Sequence, residues 1–219
     1  MRLTVEGLFI KVSGVTSEED ALFSIGLGAS AVGFDLSAGE SQVPVAVVND
    51  IVRRLPYGAC SVGIFHHELP QRIVEIANTL GLSAVQIDGP ASLADVAYVS
   101  ERVNTVLRTV PPGTDRLALH GGVDYLLLPD GDSPEALVDV LELFAESTAR
   151  TPLIASGGLT DSNVIDVVQN FPVFGVDVRG GVESSPGVKD PVALGRFIAN
   201  ARWAFDNAYV ERHFDEWSL

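Results

Sequence analysis

The sequence predicts a single-domain α/β protein built as a (β/α)₈ barrel. Eight short apolar runs rich in β-branched residues alternate with longer segments of helical period. Strict alternation of this kind indicates a parallel sheet with both faces covered, and eight strands favour closure. The chain has 219 residues, and a barrel of this type needs about 200 or more. We therefore expect one barrel domain over residues 1–219, with residues 203–219 as a C-terminal tail.

The apolar runs give the predicted strands. They cover residues 8–13, 31–36, 59–65, 84–88, 103–110, 125–128, 152–156 and 175–178. A doubly wound open sheet is the alternative arrangement. It is disfavoured because no Gly-x-Gly-x-x-Gly motif follows the first strand.

The segments of helical period give the predicted helices. They cover residues 17–27, 45–55, 70–80, 93–100, 133–146, 161–169 and 191–205. The first begins at Thr16-Ser17-Glu18-Glu19-Asp20, where hydroxyls cap a helix and acidic side chains complement its dipole. After the fifth strand only residues 113–122 are available, behind a Pro-Pro-Gly break, so this helix is predicted to be irregular.

The composition excludes several classes of function. A net charge of −15, from 29 acidic and 14 basic residues, argues against nucleic acid and anionic membrane surfaces as partners. The single cysteine, Cys60, excludes internal disulfides and cysteine-rich metal sites, and four scattered histidines do not form a zinc motif. No apolar run reaches the roughly 18 residues of a membrane span. We expect a cytoplasmic protein that still binds a small anion at a local basic spot.

Two glycine pairs indicate where that anion binds. Gly157-Gly158 ends the seventh predicted strand, and Gly180-Gly181 follows the eighth, directly after Arg179. Glycine turns expose backbone N–H groups, and loops after the last two strands of such barrels often hold phosphate. The sequence therefore predicts a phosphate or carboxylate site between these two turns.

Polar residues recur on one face of the predicted strands, near their ends. They are Lys11, Ser13, Asp35, Gln86, Asp88, Asp177 and Arg179. Buried parallel strands are normally almost wholly apolar, and charges in a core are rare unless paired. We expect an ion pair between Lys11 and Asp177 across the first and eighth strands, either purely structural or also ordering a ligand.

Three further reactive side chains belong to the third strand. Cys60 begins this strand, so we expect an inert, buried thiol towards the bottom of the barrel. His66 and His67 follow its end, on the face that carries the site. Either a solvated or a catalytic role fits these two histidines.

Six motifs occur in the chain in this order: IKVSGVTSEEDA, GASAVGF, VGIF, AVQIDG, IASGGL and GVDVRGGVESSPGVKD. Together they resemble those of the phosphoribosylanthranilate isomerase family. The opening IKVSGVTSEEDA is similar to that family's KICG[IL]TxxEDA, and AVQIDG is similar to its AVQLHG. The late segment GVDVRGGVESSPGVKD resembles GVDVSSGVExxPGxKD, while GASAVGF, VGIF and IASGGL resemble the second, third and seventh strands. The resemblance covers roughly residues 8–100 and 150–203.

The resemblance implies a cofactor-free, metal-free barrel of tryptophan biosynthesis. Enzymes of this family carry out an Amadori rearrangement that turns an aminoaldose phosphate into an aminoketose phosphate. The implied catalytic positions are Ser13 and Asp130. The resemblance and the strand pattern together assign a phosphosugar ligand to Lys11, Gln86, Asp88, Gly157, Gly158, Asp177, Arg179, Gly180 and Gly181. We expect a monomer or homodimer, with the acidic, aromatic tail as a last helix and frayed end or as a dimer contact.

The sequence departs from the family pattern at the positions that carry the chemistry. Ser13 replaces the cysteine base, Gln42 aligns with the arginine that holds the anthranilate carboxylate, and Asp88 replaces a histidine. Asp130 stands one residue after the family's general acid, and Gly131 stands alone where the family has a glycine loop over the phosphate. A serine hydroxyl is a far poorer base than a thiolate, so the sequence predicts very low isomerase turnover.

Three hypotheses remain open from the sequence. The first is an isomerase of phosphoribosylanthranilate or of a close relative. The second is a barrel that keeps the phosphosugar pocket without the isomerisation. The third is another reaction in the same pocket, with Asp35, Asp88 or His67 recruited.

Overall fold

The structure, a computed structural model, describes residues 7–109, 123–127, 141 and 151–208. Eight parallel strands in these ranges form a closed barrel in sequence order. Their bounds are β1 Phe9–Val12, β2 Ala31–Asp35, β3 Cys60–Phe65, β4 Ala84–Ile87, β5 Val106–Thr109, β6 Tyr125–Leu127, β7 Leu153–Ser156 and β8 Gly175–Val178. The sheet closes where β8 pairs with β1, with Lys11 opposite Asp177. The predicted (β/α)₈ barrel is confirmed.

The described residues contain six α-helices. Their bounds are α1 Glu18–Gly26, α2 Val45–Val52, α3 Pro70–Leu80, α4 Leu93–Ser100, α5 Val164–Asn170 and α6 Pro191–Asp206. The segments predicted as an irregular helix (113–122) and as a helix over 133–146 lie outside the described residues, apart from Leu141, which is helical and buried. The segment after the sixth strand, where Gly131 stands in place of the family's glycine loop, also lies outside them, as do residues 209–219 of the predicted tail.

Side-chain caps fix where the helices begin. The Ser17 hydroxyl accepts a hydrogen bond from the Asp20 backbone N–H at 3.1 Å, as the hydroxyl-rich start of α1 predicts. Ser92 and Asp95 form a reciprocal capping box at the start of α4. The Asp190 carboxylate caps α6 by accepting from the N–H groups of Val192 and Ala193 at 2.8 and 2.9 Å. These caps set the lengths of the loops at the upper end of the barrel.

A short hairpin follows β8 before the last helix begins. One turn of 3₁₀ helix, Gly180–Val182, leads into β9 Glu183–Ser185, which pairs antiparallel with β10 Val188–Lys189. The Thr16 hydroxyl donates to the Gly187 carbonyl at 2.7 Å and ties this hairpin to the loop after β1. The hairpin therefore lies beside the ends of β1 and β8.

Candidate active site

The barrel lumen is apolar at its lower end and polar at its upper end. The lower lumen cluster takes one residue from each of seven strands: Phe9, Ala31, Val62, Ala84, Leu107, Tyr125 and Ile154. Alternate strand residues face the lumen, so the next inward positions lie two residues further along. Most of those described are polar or lack a side chain: Lys11, Gly33, Gln86, Thr109, Ser156 and Asp177. The upper end, where barrels of this type carry their sites, is the candidate active site.

A buried ion pair between β1 and β8 forms the floor of this site. Lys11 Nζ lies 3.0 Å from Asp177 Oδ2, and the side chains of the two residues are 0% and 5% exposed. This pair was predicted from the sequence, and the structure confirms it. Its position across the closure of the sheet gives it a structural role whether or not a ligand is bound.

The Ser13 hydroxyl is part of the same network. It accepts a hydrogen bond from Lys11 Nζ and donates to Asp177 Oδ1 at 2.7 Å. Ser156 donates to the other oxygen of Asp177 at 3.2 Å. A hydroxyl held between an ammonium and a carboxylate keeps its proton, so Ser13 is a bridging group rather than a base.

Gly33 on β2 makes room for this network. A Cβ added at Gly33 would lie 3.1 Å from Ser13 Oγ and 3.3 Å from Lys11 Cε. Any larger residue would therefore push the lysine or the serine from its place.

A second polar group lies at the ends of β2, β3 and β4. His66 Nε2 lies 3.3 Å from Asp35 Oδ2, and His66 Nδ1 lies 3.7 Å from Asp88 Oδ2. Asp35 is held from the other side by the Ser37 backbone N–H, which donates to Oδ1 at 3.2 Å. The imidazole therefore stands between two carboxylates at the mouth of the barrel.

Arg179 reaches this group from the opposite side of the barrel closure. Its side chain leaves the end of β8 and crosses Gly14, where an added Cβ would lie 2.9 Å from Arg179 Nε. Its Nη2 atom lies 3.5 Å from Asp35 Oδ2, and the side chain is 32% exposed. A guanidinium has five N–H donors, and this long contact, the one seen within the described part of the chain, leaves most of them for a ligand.

The charges at the mouth alter the acidity of its members. The hydrogen bond to Asp35 raises the pKa of His66 above its usual value, against the opposing effect of burial. Burial raises the pKa of Asp35, but the hydrogen bond and charge of His66, with the charge of Arg179, outweigh burial and leave this pKa below its usual value. These two shifts favour the ionised form of Asp35 and make the His66 imidazole a stronger base than it would be without Asp35.

Gln86 and Asp88 lie together on β4 and at its end. Gln86 Nε2 donates to Asp88 Oδ1 at 3.0 Å, and the Thr109 hydroxyl donates to the same oxygen. Gln86 is buried, yet its Oε1 has no hydrogen-bond partner in the described part of the chain. A buried amide oxygen without a partner is costly unless a ligand or water supplies a donor.

The two glycine turns predicted to bind an anion lie against each other. Gly157 and Gly158 have positive φ angles of 92° and 60°, which side chains rarely adopt. A Cβ on Gly181 would lie 1.9 Å from the Leu159 carbonyl oxygen, so the loops after β7 and β8 approach closely there. A Cβ on Gly180 would meet nothing within 4 Å, so open space adjoins this turn.

Lys189 is a buried residue beside the site that the sequence analysis did not identify. Its buried Nζ donates to the Ser13 carbonyl at 2.6 Å, to the Arg179 carbonyl at 3.3 Å and to Glu183 Oε1 at 2.7 Å. Burial lowers the pKa of Lys189, although the Glu183 carboxylate opposes this effect. The lysine thus joins the ends of β1 and β8 to the hairpin. Its place in the GVESSPGVKD segment was the only sequence signal for it.

The remaining candidates lie apart from the mouth or outside the described residues. Asp130, the predicted acid, is among the residues that the structure does not describe. Gln42 Nε2 donates to the Leu36 carbonyl at 3.3 Å. His67 is exposed next to His66. Cys60 begins β3 as predicted, but its side chain is only partly buried rather than buried, and this burial raises the pKa of its thiol.

The described residues give no evidence of a metal centre or a membrane segment. No three His, Cys, Asp or Glu side chains among them are grouped to hold a metal ion. None of the described helices combines the length and the apolar character that crossing a membrane requires.

The fold and the mouth together define the class of the protein. It is a (β/α)₈ barrel whose polar groups converge at the carboxyl ends of its strands, the end at which enzymes of this fold hold their substrates. Paired carboxylates, a histidine and two cations at this end are groups suited to proton transfer on an anionic ligand.

Comparison with known proteins identifies the family. The family model for N-(5'-phosphoribosyl)anthranilate isomerase matches residues 10–200, so the chain belongs to that family. It is 34% identical over 201 residues to the isomerase of Geotalea uraniireducens, with 88% of this chain and 98% of that protein covered.

Solved structures agree with this assignment. The crystal structure of the Thermotoga maritima isomerase is similar with a TM-score of 0.79 and 31% identity, covering 90% of this chain and 99% of that one. A crystal structure of phosphoribosylanthranilate isomerase with reduced 1-(o-carboxyphenylamino)-1-deoxyribulose 5-phosphate matches with a TM-score of 0.73 and 31% identity. It covers 90% of this chain and 99% of that one.

Proposed function

We propose that this protein catalyses the Amadori-type isomerisation of N-(5'-phosphoribosyl)anthranilate in tryptophan biosynthesis. The observation that carries the proposal is the buried Lys11–Asp177 pair beneath a polar barrel mouth, in a chain of this family. Within the proposal, residues 1–219 form one cytoplasmic domain that acts as a monomer or homodimer, and residues 203–219 form its tail.

The substrate phosphate is proposed to bind the two glycine turns, Gly157-Gly158 and Gly180-Gly181. Loops after the seventh and eighth strands commonly form phosphate sites in this fold, and backbone N–H groups bind anions without any side chain. The positive φ angles at Gly157 and Gly158 and the open space beside Gly180 support this placement.

The aromatic carboxylate of the substrate is proposed to bind Arg179. The amide of Gln42, at the position of the family's arginine, already donates to the chain at Leu36. The Arg179 guanidinium instead reaches the end of β2 from β8, where it contacts Asp35. Guanidinium groups bind carboxylates through two parallel hydrogen bonds, which suits a planar benzoate.

The other predicted residues take roles around the ribose. Lys11 and Asp177 form the charged floor, and Gln86 and Asp88 are proposed to accept hydrogen bonds from ribose hydroxyls. Asp130 is proposed as the acid that protonates the ring oxygen. Ser13 stands at the position of the family's base, but its hydroxyl is held by Lys11 and Asp177.

The proposal is tested by turnover of phosphoribosylanthranilate, followed by loss of its fluorescence. We expect turnover that scales with protein concentration and stays below about 10 s⁻¹, the median for enzymes, because the cysteine base is absent. Absence of turnover above the uncatalysed rate, in protein that still binds the substrate analogue, would favour the second candidate function.

That second candidate is a phosphosugar-binding barrel without isomerase activity. It is favoured by the Ser13 hydroxyl, which is hydrogen-bonded within the floor of the site and so is not an active base. Both candidates predict binding of ribose 5-phosphate, and only the first predicts turnover.

Calorimetric titration locates the ligand for either candidate. Reduced 1-(o-carboxyphenylamino)-1-deoxyribulose 5-phosphate carries both the phosphate and the carboxylate, whereas ribose 5-phosphate carries only the phosphate. Arg179→Ala should weaken binding of the first by about 1.5–3 kcal/mol, the range for a hydrogen bond to a charged group, and leave the second unchanged. Arg72→Ala, on an exposed helix face, is the matched control. Equal weakening of both ligands would move Arg179 to the phosphate.

A further inference from the structure

The proposed isomerisation needs a base, and most inward-facing groups do not qualify. The Ser13 hydroxyl is held between Lys11 and Asp177, and Asp177 accepts from Lys11, Ser13 and Ser156. Burial raises the pKa of Asp35, but the partners that this carboxylate contacts, His66, Arg179 and the Ser37 backbone N–H, lower it further, which makes Asp35 a weak base. Histidine is the side chain that ordinarily changes charge near neutral pH, and of the two described histidines on this loop His66 is half-buried among the groups of the mouth whereas His67 is exposed.

The position of His66 is fixed through its backbone and one ring nitrogen. The backbone N–H donates to the Ser37 hydroxyl at 2.7 Å and to Glu68 Oε2 at 3.2 Å. Nε2 lies at 3.3 Å from Asp35 Oδ2. A carboxylate on one imidazole nitrogen orients the ring and strengthens the other nitrogen as a base, as in hydrolytic triads.

The other ring nitrogen is available to a ligand. Nδ1 lies 3.7 Å from Asp88 Oδ2, which is beyond hydrogen-bonding distance. Asp88 is occupied on its other oxygen by Gln86 and Thr109. The Asp88 carboxylate oxygen that faces Nδ1 can accept a hydrogen bond from a ligand hydroxyl.

Gln86 gives independent evidence that a ligand group belongs in this part of the mouth. Asp88 only accepts hydrogen bonds when ionised, so the amide must turn its Nε2 towards Asp88 and its Oε1 away. The buried Oε1 then has no partner among the described residues. A ligand hydroxyl or amine would satisfy it, next to the carboxylate that faces His66 Nδ1.

We propose that His66 is the general base of the isomerisation, with Nδ1 taking the proton from C2 of the substrate and Asp35 positioning the ring. This assignment rests on the function proposed above. Once the ring is open and nitrogen forms the C1=N⁺ iminium, the C2–H bond breaks and its proton moves to Nδ1. The C2–H electron pair forms the C1=C2 bond, and the iminium π electrons return to nitrogen. The enol then becomes the ketone as a proton moves from its hydroxyl to C1, and His66 returns its proton to solvent.

The charged and titratable groups around His66 set its pH response. Asp35 and Asp88 face it from β2 and β4, Arg179 from β8, and Glu68 and His67 from its own loop. A base with these neighbours gives kcat an acid limb, because its protonated form is inactive.

The test compares His66→Gln with His67→Gln in the turnover assay. His67 is the matched control because it is exposed, adjacent, and outside the groups assigned to the site. His66→Gln should lower kcat by about 10²–10⁴-fold, the usual contribution of general acid–base catalysis, and change KM less than about threefold. His67→Gln should keep the wild-type kcat. Added imidazole should raise the kcat of His66→Ala, which a purely structural role would not allow.

The possible outcomes separate this inference from the proposed function. If the wild-type protein turns over substrate and the kcat of His66→Gln lies within about threefold of the wild-type value, His66 is not the base. The proposed isomerase function would then still hold. An equal fall in His67→Gln also overturns the role of His66. If the wild-type protein shows no turnover, both the role of His66 and the proposed isomerase function are overturned. If His66→Gln does not fold, the wild-type pH profile decides: a fall of about tenfold per pH unit on the acid side supports the base, and a flat profile overturns it.

Discussion

Lys189→Met should be among the most destabilising single substitutions at the mouth of the barrel. The change removes the ammonium that bonds the Ser13 carbonyl at 2.6 Å, the Arg179 carbonyl at 3.3 Å and Glu183 at 2.7 Å. It keeps an unbranched apolar stem, so packing changes little. Glu183, whose side chain is 13% exposed, would lose its cation. Removal of one partner from a buried ion pair costs about 3–5 kcal/mol, and we expect a loss in this range.

Urea unfolding at neutral pH measures this loss by linear extrapolation. The double variant Lys189→Met/Glu183→Gln also removes the unpaired charge of Glu183. It should recover about 0.5–3 kcal/mol of the free energy of unfolding, the usual coupling energy of contacting residues. Arg72→Met is the control, because it breaks a pair whose side chains are 54% and 63% exposed and that should contribute about 0–1 kcal/mol. A loss for Lys189→Met no larger than that of the control would refute the view that this lysine holds the ends of β1 and β8 together.

Two further predictions concern the floor and the mouth of the site. Ser13→Ala should lower the free energy of unfolding by about 1.5–3 kcal/mol in urea titrations, because it removes hydrogen bonds to two buried charges. Ser184→Ala, at an exposed position, is the control. Equal losses of stability in the two variants would contradict the bridging role of Ser13. The pKa of His66 is higher in the folded state than in the unfolded state, where it is about 6.5, so protonation of His66 stabilises the fold. This stabilisation is fully present below the unfolded-state pKa and is lost as the pH rises through the folded-state pKa. Wild type should therefore lose more stability than His66→Gln between about pH 6 and pH 9, and parallel pH profiles of the two unfolding midpoints would argue against the His66–Asp35 interaction.

The floor of the site was predictable from the sequence, and its upper part was not. Strand parity and barrel closure place Lys11 and Asp177 opposite each other, since both lie inside regular strands whose side-chain directions are fixed. His66, Asp88 and Arg179 instead follow the last residue of their strands, where no period fixes the side-chain direction. Lys189 ends a strand of two residues, Val188–Lys189, which is too short to show any periodicity.

This division between floor and mouth explains why the family pattern changes where it does. Lys11 and Asp177 join the first strand to the last, so losing either leaves a buried, unpaired charge at the closure of the sheet. The groups at the mouth do not hold the sheet closed. All eight strands end around the same opening, so a long side chain can reach a given point in the mouth from the ends of several strands. A cation absent after β2 is present here on β8, as Arg179, and its guanidinium still ends beside Asp35 at the end of β2. By the same geometry, a base absent from β1 can be supplied by His66 after β3. Substitution of a family's catalytic residue in such a barrel is therefore weak evidence for lost activity until the neighbouring strand ends have been searched for its replacement.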